Sequence, residues 1–136
     1  MERKKKKKGF TMLELVIVIV VVAILVSLGL VQFTSVMEKG RKAEARSILG
    51  TLRQLEISRY EEMLTYSNLA GLGIAVPDGA CAATHYFFYA CAAGTGTCTA
   101  TRCIGAVGKQ PGVPAADVYT ITLDVNGNFS GTGNWQ

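Results

Sequence analysis

The apolar positions change their spacing along the chain, and each spacing predicts a different element. From Leu15 to Val31 only Ser27 and Gly29 interrupt an apolar run. A helix of that composition is apolar all round and needs an apolar surrounding. Beyond Gln32 the pattern turns amphipathic: Ala45, Ile48, Leu49, Leu52, Leu55, Tyr60, Met63 and Leu64 fall largely at i, i+3, i+4 and i+7 spacing, with Lys42, Glu44, Arg46, Arg53 and Glu56 among them. The same helix is expected to continue, which from Phe10 to about Leu64 makes it roughly 80 Å long at ~1.5 Å per residue. Gly40 and Gly50 interrupt good helix formers. They are taken as flex points or close-packing sites, with two separate helices as the alternative, since glycine also ends helices.

Thr65 to Pro77 reads as a loop punctuated by Asn68, Gly71, Gly73 and Pro77, with Leu69, Leu72, Ile74 and Val76 packed beneath it. Period-two patterning follows. His85 to Cys91, HYFFYAC, has strand propensity, and Ala92 to Gly96 turns it into Thr97 to Ile104. Val118 to Val125 alternates, with Tyr119, Ile121, Leu123 and Val125 on one face, and Asn126-Gly127 predicts a two-residue type I′ turn into Asn128-Phe129-Ser130. Three to four antiparallel strands against an amphipathic helix make the expected fold class α+β.

Charge sharpens the reading of the first segment. The net charge is +4, but Arg3 and Lys4 to Lys8 hold six of the 14 basic residues. From Phe10 onward eight Lys and Arg face nine Asp and Glu, leaving −1, so nothing downstream points to nucleic acid. Phe10 to Val31 offers roughly 22 residues, about 33 Å of helix, enough to cross a bilayer core. The cationic block before it predicts an N-in, C-out single span. A cleaved secretory signal would be shorter and end in small residues, whereas Ser27-Leu28-Gly29 runs on into Leu30 and Val31. A plain membrane-anchored extracytoplasmic domain accounts for everything except Glu14, because a carboxylate in a spanning helix costs about 2.5–3.5 kcal/mol at its centre and calls for a partner.

Lys8-Gly9-Phe10-Thr11-Met12-Leu13-Glu14, followed by the apolar helix, resembles the N-terminal signature of type IV prepilins and of the related pseudopilins. The resemblance implies cleavage after Gly9 by a prepilin peptidase and methylation of the new amine at Phe10. It implies a basic leader at 1–9, a transmembrane and filament-core helix at 10–32, an amphipathic continuation at 33–64, and a loop and disulfide-containing β head at 65–136. A homopolymer is implied too, driven by a cytoplasmic ATPase through an inner-membrane assembly platform, in which Glu14 pairs with the Phe10 amine of a neighbour. Such filaments serve adhesion, twitching motility or DNA uptake, while a pseudopilin of a type II secretion system, the alternative, stays in the periplasm. Two departures stand out: Leu30-Val31-Gln32 lies where many members carry proline, and Ala23 where glycine is common.

The remaining chemistry is sparse. Cys81, Cys91, Cys98 and Cys103 all lie beyond the apolar run, where an oxidising compartment favours disulfides. Cys91 with Cys98 and Cys81 with Cys103 is one pairing, Cys81 with Cys91 and Cys98 with Cys103 another. Cysteines beside the single His85 raise a zinc reading, but their spacing lacks a CxxC pattern. Asp124-Val125-Asn126-Gly127-Asn128 raises a calcium reading that a hairpin turn explains as well. No metal and no cofactor are therefore expected. His85 and Asp78, Asp117 and Asp124 have no evident catalytic partner, so no enzyme is expected. Phe10, Phe33, Tyr60 and Tyr66 along the helix are read as packing groups.

Overall fold

The computed structural model describes residues 9–136; the basic block through Lys8 lies outside them. Two compact units divide between Lys39 and Gly40, and one helix, α1 at Met12–Met63, contributes to both. Neither Gly40 nor Gly50 ends it.

In the first unit the stretch of the helix from Leu15 to Leu30 is apolar on every side. Leu15, Val16, Ile17 and Val18 look in all directions around the axis, and each is at least 51% exposed. The polar Ser27 is satisfied locally, its hydroxyl donating to the Ile24 carbonyl at 2.8 Å. Among the described residues α1 is long and apolar enough to cross a membrane.

The second unit packs the rest of α1 on a sheet. Four strands, β1 at Phe87–Ala92, β2 at Thr97–Arg102, β3 at Thr120–Leu123 and β4 at Phe129–Thr132, form an antiparallel meander in chain order. Phe87 pairs with Arg102, Cys98 with Leu123, and Leu123 with Phe129. Lys42, Ala45, Leu49, Leu52 and Glu56 make the buried stripe of α1, at alternating steps of three and four residues that keep them on one face. Ala45, Leu49 and Leu52 meet Phe87, Tyr89, Cys98, Ala100, Ile121 and Leu123 from the sheet and Leu69 from a short 3-10 turn at Leu69–Leu72. Asn68 caps that turn by accepting from the Gly71 amide, and Gly73, at φ 69°, closes it in the left-handed region where glycine is unstrained.

Three expectations change in detail. The β3–β4 turn is not a two-residue type I′ turn, which needs positive φ at both Asn126 and Gly127; only Gly127, at φ 92°, has it. Instead the Gly127 amide donates to the Asp124 carbonyl at 3.1 Å, and the Asp124 amide to the Asn128 carbonyl at 3.2 Å. The turn therefore starts at Asp124, whose carboxylate accepts from the Asn128 amide at 2.8 Å and its side-chain Nδ2 at 3.0 Å. Strands are also shorter than their patterns: His85 and Tyr86 precede β1, and Cys103 and Ile104 leave β2 for a long connection.

The third change is that two residues on the polar list are core. Lys42 runs its stem through the interface, its Nζ 2.7 Å from the Gln136 carbonyl and 5.1 Å from the Tyr119 ring. Glu56 is fully buried, with Oε2 accepting from the Ser67 amide at 3.0 Å while Oε1 meets no donor among the described residues. Glu56→Ala should therefore lower head stability by about 1–3 kcal/mol by stranding the Ser67 amide, whereas Glu56→Gln keeps the acceptor and should stay close to the parent. Thermal unfolding of the three detergent-solubilised chains compares them, and equal midpoints for Ala and the parent would refute this role.

Candidate functional site at the start of the helix

The start of α1 is built by a reciprocal cap. Thr11 precedes the first helical residue, and its Oγ1 accepts from the Glu14 amide at 3.2 Å. In return Glu14 Oε2 accepts from the Thr11 amide at 3.2 Å and its hydroxyl at 3.1 Å. Thr-x-x-Glu is the capping-box spacing, which satisfies otherwise orphaned amides of the first turn and places a carboxylate at the positive end of the helix dipole. Sequence reasoning asked what charge Glu14 answers and missed this local partner, although the Thr11-to-Glu14 spacing signals it.

The cap fixes where the carboxylate stands. Oε2 is held within the turn, while Oε1 makes no hydrogen bond among the described residues and Glu14 is exposed. Gly9 and Phe10 lie just before the helix, outside regular structure, and Phe10 is 84% exposed. A Cβ on Gly9 would meet nothing within 4 Å. The Gly9–Phe10 bond is thus an open backbone segment, and a new amine at Phe10 would stand four residues before an anchored carboxylate on the same chain.

In the head all four cysteines are bonded. Cys91 and Cys98 face each other across the β1–β2 hairpin with Cα atoms 4.1 Å apart, and Cys81 joins Cys103 with Cα atoms 5.9 Å apart. No described cysteine is free. The Glu56 carboxylate comes within 4.8 Å of the Cys91 and Cys98 sulfurs, but those sulfurs are bound to each other, so the trio is not a metal donor set. His85 Nδ1 lies 2.8 Å from the Thr84 hydroxyl.

The Asn128 side chain, then its amide, holds the Asp124 carboxyl below the usual carboxylate range. Burial, and then the charge of Glu44, pushes the Tyr89 phenol up; its hydroxyl is buried without a hydrogen-bond partner among the described residues.

No curated protein and no solved structure matches the chain. A family model does: over residues 4–30 the chain carries the prokaryotic N-terminal methylation motif, the signature of type IV pilins and pseudopilins, and its long N-terminal helix with a small antiparallel sheet fits that family.

Proposed function

We propose that the chain is the subunit of a type IV pilus-like filament, inserted N-in and C-out, cut between Gly9 and Phe10 by a prepilin peptidase, and methylated at Phe10. It then leaves the inner membrane through an assembly platform with a cytoplasmic ATPase and polymerises with its heads outward. The observation that carries this reading is a capped carboxylate at the head of a helix whose stretch from Leu15 to Leu30 is apolar all round. Such a stretch needs an apolar surrounding, which lipid supplies to the precursor and neighbouring copies supply in a filament.

The chemistry of assembly follows from charge. Cleavage creates a cationic amine at Phe10. Among packed apolar helices that amine and Glu14 Oε1 of a neighbour are each costly alone and tolerated together. Because the cap already holds Oε2, Glu14 presents its second oxygen without surrendering its own helix start.

Intact mass under non-reducing conditions tests the reading on the sheared extracellular fraction. The expected chain begins at Phe10, carries one added methyl, and lacks four hydrogens for its two disulfides. An uncut chain confined to the membrane would overturn the proposal, and a processed chain found only in the periplasm would assign it to the pseudopilins.

A further inference from the structure

Resting on that filament reading, we propose that neighbouring heads dock by charge across opposite flanks of α1: the groove holding Arg46 and Arg53 on one subunit receives Glu62 of the next. The groove lies between α1 and the β3–β4 hairpin, has a volume of about 600 Å³, and is lined by Arg46, Gly50, Arg53, Gln54, Leu123 and Phe129. Gly50 leaves its floor open, since a Cβ there would meet nothing within 4 Å.

Both guanidinium groups are held in place. Arg46 Nη2 donates to the Trp135 carbonyl at 3.3 Å, and its guanidinium lies 6.0 Å from the Phe129 ring centre. Arg53 Nε donates to the Val125 carbonyl at 2.9 Å. Neither pairs with a carboxylate among the described residues, and the Nη groups of Arg53 keep donors to spare. A guanidinium anchored by one N–H and open at the others is pre-organised for a carboxylate, so little freedom is lost on binding.

Glu62 is the complementary group. It stands nine residues after Arg53, which at 3.6 residues per turn is about half a turn round the helix and ~13 Å along it. It is exposed and makes no hydrogen bond or ion pair among the described residues. The nearby Arg59 is tied to the Gly71 carbonyl at 3.1 Å. A carboxylate and a guanidinium pair on opposite sides of one helix cannot meet within a subunit, but they can meet between copies arranged head to tail. Such a heterologous contact repeats without closing, as a filament requires.

The overall charge of the head permits this. From Gly40 onward seven Lys and Arg balance seven Asp and Glu, so the heads do not repel as bodies and the local arrangement decides. Each contact is exposed and weak alone. Its effect is to select register, because like charges brought together across an interface are disfavoured more than the pair is favoured.

Charge swapping and cross-linking in cells that make the full chain test this. Glu62→Lys is expected to lower the sheared filament yield by about tenfold, and Arg53→Glu in the same chain to restore most of it, because the pair is re-formed with its signs reversed. Gln54→Cys with Glu62→Cys keeps the test open if Arg53→Glu disturbs the head; mild oxidation should then give a ladder of linked subunits on a non-reducing gel. Abundant filaments of the parent chain, with parental yield from Glu62→Lys and no ladder, would overturn the docking and leave the filament reading standing. Loss of filaments on Arg46→Ala with Arg53→Ala, while Glu62→Lys assembles at parental yield, would give the groove to another anionic partner and also overturn it. A processed parent chain that forms no filament at all would overturn the filament reading and the docking with it.

Discussion

Glu14→Ala is expected to give a chain that is inserted, cut and methylated but yields almost no filaments. In the assembled core the Phe10 amine of a neighbour would then lie in apolar surroundings without its counter-charge, a loss of about 3–5 kcal/mol per contact. At 1.4 kcal/mol per tenfold, each subunit addition weakens by roughly two to four orders of magnitude. The substitution also removes the acceptor for the Thr11 amide and hydroxyl, and breaking a cap costs about 0.5–2 kcal/mol of helix stability by itself. Glu14→Gln separates the two effects. Its amide oxygen still accepts from Thr11 but carries no charge, so filament loss in Gln as in Ala assigns the defect to the missing carboxylate. Recovery in Gln would assign it to the cap. Filament yield in the sheared fraction, beside the mass of the membrane-held chain, reads both, and normal yield from Glu14→Ala would remove the charge argument altogether.

The Glu14 case also shows which parts of the fold were legible in residue order. Local, periodic signals translated directly: the apolar run, the amphipathic continuation, and the alternation of Tyr119, Ile121 and Leu123, which are all buried. Asn68 and Gly73 punctuated their turn as read. What escaped were decisions made by distant partners. Lys42 and Glu56 look like surface residues until the Gln136 carbonyl and the Ser67 amide are brought to them across 94 and 11 residues of chain. Arg102 ends a strand pattern and shows no sign of being core, because its partners are carbonyls, which any residue supplies. At Asn126-Gly127 the favoured two-residue turn lost to a local competitor, the Asp124 carboxylate, which bonds two groups of Asn128 and moves the start of the turn. The four cysteines signalled bonding but not partners. Strand register, which sets Cys91 opposite Cys98, is a property of the sheet and not of spacing alone.

In the head, the substitution with the largest expected effect on stability is Arg102→Ala. Arg102 is 1% exposed at the end of β2, opposite Phe87. Its Nη1 donates to the carbonyls of Tyr86 at 3.0 Å and Cys103 at 3.4 Å, and Nη2 to that of Pro111 at 2.7 Å. The guanidinium also lies 5.3 Å from the Tyr86 ring centre and 5.6 Å from that of Phe87. One side chain thus fastens the entry to β1, the exit from β2 and the connection toward β3, beside the Cys81–Cys103 bridge. Truncation leaves those carbonyls without this donor and opens a void the size of a long side chain, at a combined cost of about 3–5 kcal/mol. For a unit of this size the unfolding midpoint should fall by more than ~10 °C. Arg102→Lys keeps the charge and most of the volume but not the planar fork, so it cannot reach three divergent carbonyls at once and should fall between the two. Near-ultraviolet circular dichroism of the detergent-solubilised chain follows the head, since the Tyr86 ring lies beside the guanidinium. A midpoint for Arg102→Ala within ~2 °C of the parent, less than ~1 kcal/mol on this scale, would show that the disulfide and the sheet hold the connection without the guanidinium.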